Sequence, residues 1–390
     1  MSNYFDLILH GGHLIDPTNQ IDGPVDIAIK DGRIAAVGIE NTSEAAKTID
    51  ISGLFVTPGL IDMHLHVYGG YEGWLFPDPH ALPYGVTTVV DTGGAGWKNF
   101  ADFKRSIIDP AKTRVLAFVN IVGAGMTGAP EQDISEMDPI PCAATIKQYR
   151  EHVVGAKSAH FGGPGWESAG GAIQAARLSD SIAMIDFAPK PTRSYEELLE
   201  HMSPGDIHTH LYAAHIPLLD NNLQINDYVH QARERGIIFD TGHGNGSFWF
   251  RIAVPALAQG FHPDTISTDM HVSSLISNHA TMPEVMSKLL ACGMNLNDVV
   301  QKSTYEPSKK IGRSDLGSLS ESTIADVAVL KISEGDFGLT DNGSGIRVLN
   351  SNKRIECEMT IKDGKILWDI NGRSKDDWES TPTPYQISNV

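Results

Sequence analysis

Histidine is the residue whose number and spacing first suggest chemistry in this sequence. The 390 residues include 16 histidines, and imidazole is a common ligand for metal ions. His64 and His66 are separated by one residue, so on a β-strand both rings would lie on one face and reach a single ion. Two histidines held by hydrogen bonds within the core are the alternative.

Four further apolar runs end in residues that bind metals or protons. Lys157 closes one run, where burying a charge is costly, although a lysine that extends to solvent is the alternative. Asp186 and Asp269 close two others, and a carboxylate in that position also commonly caps a helix. In the fourth run, His208 and His210 are expected on one face of a strand.

Repeated βα units are the elements that would position these side chains. Apolar, β-branched runs alternate with helix-like stretches such as 195–201, 227–235 and 283–291, a layout typical of a parallel sheet. The predicted strands are 59–66, 87–91, 115–121, 153–157, 182–186, 206–211, 237–241 and 265–269. Eight units predict an α/β fold with a closed (β/α)8 barrel of the TIM type, whose functional residues gather at the carboxyl ends of its strands. A doubly wound open sheet is the alternative.

Both ends of the chain have a different pattern, in which short strands are separated by glycine-containing pairs. Gly11-Gly12, Asp31-Gly32 and Asp363-Gly364 are predicted to be hairpin turns. We therefore predict a small β-sandwich domain built from residues 1–56 and 314–390, and a catalytic barrel over residues 57–313. The polar, proline-containing segment 374–390 is predicted to be a tail.

Composition excludes several classes of protein. The chain has 30 Lys and Arg against 48 Asp and Glu, a net charge of −18 that opposes binding to nucleic acid. No uncharged apolar run approaches the roughly 20 residues of a membrane span, and the first residues lack the pattern of a signal peptide. Three widely spaced cysteines fit no disulfide framework. We predict a cytoplasmic protein whose partner is a small-molecule substrate, with no nucleic acid and no membrane.

Several of these segments together resemble the amidohydrolase superfamily, and two resemble its deacetylase branch, which is often labelled dihydroorotase-like. The segments are VTPGLIDMHLH at 56–66, the strand-end lysine at 157, DIHTH at 206–210, FDTGHGNGSF at 239–248 and ISTDMH at 266–271. The resemblance covers nearly the whole chain. The resemblance implies that His64, His66 and Asp269 hold one metal ion and that His210 holds a second one. A carboxylated Lys157 would bridge the two ions. The resemblance also implies that the protein forms a homo-oligomer, as such barrels usually do.

One residue departs from the pattern of that family. Asp186 stands where members with two metals usually have a histidine at the end of the fifth strand. A carboxylate also binds Zn²⁺ or Mn²⁺, so we predict two divalent metal ions, with Asp186 as a ligand and carboxylated Lys157 as the bridge. A site with one metal is the alternative. Burial would lower the pKa of the Lys157 amine, and only a neutral amine adds CO2.

These roles predict a metal-dependent hydrolase. A hydroxide generated by the metals would attack an amide, N-acyl or ester carbonyl, and Asp269 would be the catalytic residue that transfers the proton. A deacetylase is the preferred case. The alternatives are a mononuclear deaminase, a hydrolase of cyclic amides or lactones, and a non-catalytic scaffold protein.

Substrate binding is assigned to the loops that follow the strands. The candidates are Tyr68, His243, Arg251 and His271. The alternative for Tyr68 is packing in the core, and the alternative for His243 is a hydrogen bond to the backbone. The loop after the fifth strand contains two further candidates for contact with a substrate carboxylate, Lys190 and Arg193, with a solvated loop as the alternative.

Overall fold

The computed structural model describes residues 4–39, 43–69, 73–343 and 345–380, which adopt a mixed α/β fold. Within these residues, strands β1 to β17 span Tyr4–His10, His13–Asp16, Ile21–Pro24, Ile27–Lys30, Arg33–Val37, Glu44–Asp50, Phe55–Pro58, Leu60–Leu65, Val86–Gly96, Arg114–Asn120, Val153–Ser158, Ile182–Ile185, Ile207–His208, Ile238–Phe239, Val327–Thr340, Val348–Lys362 and Lys365–Asp369. Helices α1 to α11 span Pro77–Ala81, Phe100–Phe103, Pro139–Gln148, Glu167–Leu178, Tyr195–His201, Asp227–Glu234, Phe250–Ala258, Val272–Asn278, Met282–Ala291, Leu296–Ser303 and Tyr305–Lys310.

A parallel sheet of seven strands, in the order β14-β13-β12-β11-β10-β9-β8, carries the predicted site. Every residue of β8 and of β9 is buried, as expected for a sheet that is covered on both faces. The sheet is curled, because one segment meets both of its edges: Thr265 bridges to Asp240 beside β14, and Met270 bridges to Leu65 of β8.

Three of the eight predicted strands differ from expectation: 206–211 is reduced to β13, 237–241 is reduced to β14, and 265–269 is not a strand, so the prediction of an eighth strand there is wrong. In the first and the third of these, the chain turns at residues that carry polar side chains. Strand β13 ends at His208, and His210 has a φ of 64°. Asp269 has a φ of 46°, and its segment makes only isolated bridges to the sheet. Left-handed backbone at residues other than glycine is uncommon and is concentrated at functional sites.

The strands from the two ends of the chain form two further sheets, which share one core. The four-stranded sheet has the order β5-β4-β1-β6, and the six-stranded sheet has the order β17-β16-β15-β7-β2-β3. Leu9 and Ile29 from the first sheet pack with Val329 and Met359 from the second. Strands from the first and the last parts of the chain therefore belong to the same sheet, in which β15 pairs with β7 in antiparallel orientation.

The three predicted hairpin turns have different outcomes. Asp31-Gly32 and Asp363-Gly364 connect β4 to β5 and β16 to β17 with positive φ at both residues, as predicted. The prediction for Gly11-Gly12 is wrong, since β1 and β2 belong to different sheets. Close packing favours glycine there, because a Cβ on Gly12 would lie 2.6 Å from Cδ1 of Ile51 and 2.9 Å from Cγ2 of Val56.

The predicted helix over 195–201 is confirmed, and its start is set by a capping box. The Ser194 hydroxyl accepts a hydrogen bond from the backbone N–H of Glu197, whose carboxylate accepts one from the backbone N–H of Ser194.

No helix in the described ranges has both the length and the apolar character needed to cross a bilayer.

Candidate metal centre

Three of the predicted ligands meet at the carboxyl end of β8. Oδ1 of Asp269 lies 3.4 Å from Nε2 of His64 and 3.0 Å from Nε2 of His66. All three residues are buried, and each offers one ligand atom within 4.8 Å of the others. Two imidazole nitrogens and one carboxylate oxygen form a donor set that suits a divalent cation such as Zn²⁺.

Hydrogen bonds fix the orientation of the His64 ring. Thr209 donates its hydroxyl proton to Asp240 over 2.8 Å, so its oxygen accepts from Nδ1 of His64, also at 2.8 Å. That tautomer leaves the lone pair of Nε2 facing Asp269. Burial, followed by the charge of Lys157, holds the pKa of His64 well below its usual range, so the ring is neutral, the form that binds a metal.

His210 and Asp186 form a second pair close to the first group. Nδ1 of His210 donates to the carbonyl of Gly242 over 2.7 Å, which leaves Nε2 facing Oδ2 of Asp186 at 3.6 Å. Although burial favours the neutral ring, the Asp186 carboxylate raises the pKa of His210 to about 9. The carboxylate is held charged in return, because His210 lowers the pKa of Asp186 against the effect of burial.

Lys157 lies at the end of β11 with only 1% of its surface exposed. Within the described part of the chain, its Nζ has no hydrogen-bond partner. Burial lowers the pKa of this amine, and the carboxylates of Asp186 and Asp269 oppose that shift. Burying an amine without a hydrogen-bond partner is costly. Lys157 is therefore the kind of residue that gains its partner from a bound ligand or a covalent modification.

Of the predicted ligands, Asp186, His210 and Asp269 line a cavity of about 390 Å³, whereas His64, His66 and Lys157 are absent from the lining that the structure describes. Its lining is rich in imidazole and other polar groups: Ser158, His160, Asp186, Arg193, His210, His215, Asn245, Ser247, Asp269 and His271. The cavity is large enough for a small polar substrate and connects the strand ends to the surface.

Of the predicted substrate contacts, His271 lines the cavity, whereas Tyr68, His243 and Arg251 are absent from the lining that the structure describes. The Tyr68 hydroxyl donates to Asp102 over 2.6 Å. His243 is buried beside Nζ of Lys288, at 3.0 Å. Arg251 is exposed at the start of α7.

Sequence reasoning misplaced one histidine and missed two others. His208 is buried against the hydroxyl of Tyr195, so it does not share a face with His210, because the left-handed turn at His210 breaks the strand alternation. The overlooked His160 and His215 line the cavity. Each follows a predicted ligand within a few residues, in the loop after the strand, and that position is the signal that identifies them.

No family model matches the chain. A deacetylase from Brucella anthropi is 31% identical over 348 residues, which cover 84% of this chain and 85% of the relative. A deacetylase from Agrobacterium fabrum is 32% identical over 334 residues, which cover 81% and 80% of the two chains. The crystal structure of an adenine deaminase matches 94% of this chain and 100% of its own, with a TM-score of 0.85 and 29% identity.

The chain belongs to the amidohydrolase superfamily. It is an enzyme of a family that hydrolyses C–N bonds and uses divalent metal ions.

Proposed function

We propose that the protein is a metal-dependent deacetylase that removes an N-acetyl or O-acetyl group from a small polar acid. One observation carries the proposal: His64, His66 and Asp269 form a buried cluster of metal-binding groups, and Asp269 of this cluster lines a polar cavity. The deacetylase relatives support the choice of acyl group, since each is similar to this chain over about four fifths of its length.

The same geometry supports a proposal for two metal positions, occupied by Zn²⁺ or Mn²⁺. His64, His66 and Asp269 would hold one ion, while Asp186 and His210 would hold the second. Lys157 would bridge the two positions as a carbamate, formed when its neutral amine makes an N–C bond to CO2 and loses a proton. The lowering of its pKa by burial and, among the described residues, the missing partner of its amine support this role.

The chain's own residues would then perform the following steps. Metal ions in these positions supply Lewis acidity and make water a nucleophile near neutral pH. The Asp269 carboxylate would accept the proton of the attacking water and deliver it to the departing nitrogen or oxygen. Gly244 packs so closely on this carboxylate that a Cβ would lie 2.3 Å from Oδ2, so the loop backbone holds Asp269 in position. His271 would contact the substrate from the cavity wall.

We further propose that residues 265–270 close the parallel sheet into a (β/α)8 barrel over residues 57–313. Bridges from Thr265 and Met270 to opposite edges of the sheet support closure. Residues 1–56 and 314–390 would form the small β-sandwich domain, which is supported by the core that the other two sheets share.

A deaminase is the second candidate, because the adenine deaminase structure matches almost the whole chain. The two functions release different products from the same scaffold. A deacetylase releases acetate, whereas a deaminase releases ammonia.

The experiment incubates protein purified with bicarbonate with N-acetyl and O-acetyl acids and, separately, with adenine, and measures acetate and ammonia in each reaction. We expect acetate release that a chelator abolishes and that Zn²⁺ or Mn²⁺ restores. Asp269→Asn should lower kcat by about 10²- to 10⁴-fold, whereas Asp102→Asn, outside the cavity, should not. Ammonia release from adenine without acetate release would favour the deaminase, and activity that survives complete metal removal would contradict both.

A further inference from the structure

Arg193 places a buried positive charge in the wall of the candidate active-site cavity. The residue is only 2% exposed, and it lines the cavity together with Asp186, His210 and Asp269. Within the described lining, it is the one residue that carries a guanidinium or an ammonium group. Because arginine stays protonated in proteins, this part of the wall keeps its charge.

No carboxylate in the described part of the chain forms an ion pair with this guanidinium. Arg114, which is more exposed, shows the usual arrangement, with Nη1 at 2.5 Å from Oδ2 of Asp326. Burial lowers the pKa of Arg193, and the charge of Glu167 opposes that shift from beyond ion-pair distance. Arginine is rarely buried to this extent without a charged partner, since burying an unpaired charge is costly.

The guanidinium is held in place by two neutral groups. Its Nη1 donates to the carbonyl of Gly165 over 3.1 Å, and its Nη2 donates to the carbonyl of Phe161 over 2.6 Å. Its buried Nε has no partner among the described residues. A guanidinium has five N–H donors, so these contacts orient the group without neutralising its charge or using all of its donors.

Two aromatic rings of the cavity lining pack against the same group. The Cζ of Arg193 lies 5.5 Å from the ring centre of Phe161 and 5.0 Å from that of Phe187. In such an apolar environment a hydrogen bond to a charged group is stronger than in water. The wall thus presents an oriented cation to which an anion is the complementary ligand.

We infer that Arg193 binds a carboxylate of the substrate, so that the cavity accepts acylated acids that keep a free carboxylate. This inference rests on the proposed function, because it presupposes hydrolysis in this cavity. The planar fork of a guanidinium matches the two oxygens of a carboxylate and binds them through charge-assisted hydrogen bonds. Lys190, the other candidate of this loop, is exposed and absent from the described lining, so it is not assigned.

A purely structural role for Arg193 predicts a different result. Its bonds to Phe161 and Gly165 also connect the loop after β11 to the loop after β12. If that connection were its whole purpose, its replacement would impair the hydrolysis of every substrate equally. A residue that binds a carboxylate is needed for acids and not for their uncharged amides, which have nearly the same shape.

The test therefore compares N-acetylglycine and racemic N-acetylalanine with the corresponding amides, N-acetylglycinamide and N-acetylalaninamide. Acetate release is measured with the Zn²⁺-loaded full-length protein. We expect the wild-type protein to prefer the acids. Arg193→Gln should lower kcat/KM for the acids about 10- to 100-fold, the effect of losing hydrogen bonds to a charged group, and should leave kcat/KM for the amides unchanged.

Arg150→Gln is the matched control. Arg150 is an exposed arginine that also donates to two backbone carbonyls, those of Ser179 and Asp180, but it is absent from the described lining. Its replacement should leave kcat/KM for acids and amides at the wild-type values. Arg193→Lys, which keeps the charge and loses the planar fork, should retain a smaller preference for the acids.

Three results would count against the inference in different ways. An equal fall in kcat/KM for acids and amides in Arg193→Gln would show a structural role only. Equal kcat/KM values for acids and amides in the wild-type protein, which needs no variant, would overturn the inference and leave the hydrolase in place. A wild-type protein that releases acetate from none of these compounds would contradict the proposed deacetylase itself.

Discussion

Lys157 is the residue whose chemistry separates a site with two metals from a site with one. Its amine is buried and, among the described residues, lacks a hydrogen-bond partner. Lys157→Ala should remove the bridge between the metal positions, so activity should fall by more than the roughly 100-fold that loss of an outer-shell contact costs. Added short carboxylic acids should restore part of the bound metal by occupying the place of the carbamate.

The matched control is Lys353→Ala, which changes an exposed lysine on β16. It should keep the metal content and the activity of the wild-type protein. Lys157→Ala with wild-type metal content and wild-type activity would show that the amine has no role in metal binding.

Thr209 tests whether the orientation of His64 matters. Thr209→Val removes the hydroxyl that accepts from Nδ1 of His64 and donates to Asp240. Metal affinity, measured by competition with a chromogenic chelator, should fall about 10- to 100-fold. Thr145→Val, on α3, removes a hydroxyl that bonds only within its own helix and should leave the affinity unchanged. Equal affinities in the two variants would contradict the orienting role.

Residue types and spacing indicated His64, His66 and Asp269 as polar strand ends, and the resemblance to the amidohydrolase superfamily implied that they share one metal. The structure brings the three side chains together, with ligand atoms within 4.8 Å of one another, and their role as ligands stays a prediction. His160 and His208 could not be placed in this way. The ring of His160 reaches the cavity through a left-handed turn, and the strand of His208 ends before His210, because backbone angles at single residues override the alternation.

At the scale of elements, one hairpin connects the smaller sheets to the candidate site. Strands β15 and β16 are long, and the residues after β15 reach the loop that follows β14. The Asn342 side chain donates to the carbonyls of His243 and Gly244 over 2.5 and 2.7 Å and accepts from the N–H of Phe248 over 2.6 Å. That loop carries Asn245 of the cavity lining and also packs on Asp269.

Asn342→Ala should therefore loosen a loop on which the site depends. The lost hydrogen bonds leave buried backbone groups unsatisfied, at a cost of about 1–3 kcal/mol. Hydrogen exchange should become faster in residues 242–250, and KM should rise more than kcat falls. Asn350→Ala, an exposed change on the same hairpin, is the control. Exchange rates in residues 242–250 that do not differ between the two variants would exclude this role.

The order of strands and helices followed from hydrophobic periodicity, but the long reach of the hairpin did not. Residues 327–330 of β15 have the buried pattern of a core strand, whereas residues 331–338 are largely exposed or half-buried. A sequence pattern cannot distinguish such an extension from a loop. The failure at Gly11-Gly12 has a related cause, since the glycines serve contacts between sheets and not a local turn.

At the scale of the whole molecule, Lys288 should make folding stability depend on pH. Burial lowers the pKa of its amine from 10.5 to about 8, against the opposing effect of Glu284. Between about pH 8 and 10 the folded protein has released this proton while the unfolded chain still binds it. The free energy of unfolding should therefore rise with pH in this window, by up to about 1.4 kcal/mol per pH unit.

Lys288→Met should flatten this rise, as measured by urea unfolding of metal-free protein at several pH values. Lys353→Met changes an exposed lysine and should keep the wild-type slope. A slope that is the same in both variants would show that the charge of Lys288 does not control stability in this range.

The measurement that tests the binuclear centre most directly is the metal content of the wild-type chain. The protein is purified with bicarbonate and without chelator, saturated with Zn²⁺ or Mn²⁺, freed of unbound metal and examined by elemental analysis. We predict about two metal ions per chain, as expected for a bridged pair of divalent cations. A content that stays near one ion per chain after saturation would contradict the Lys157 bridge and remove Asp186 and His210 from the ligands.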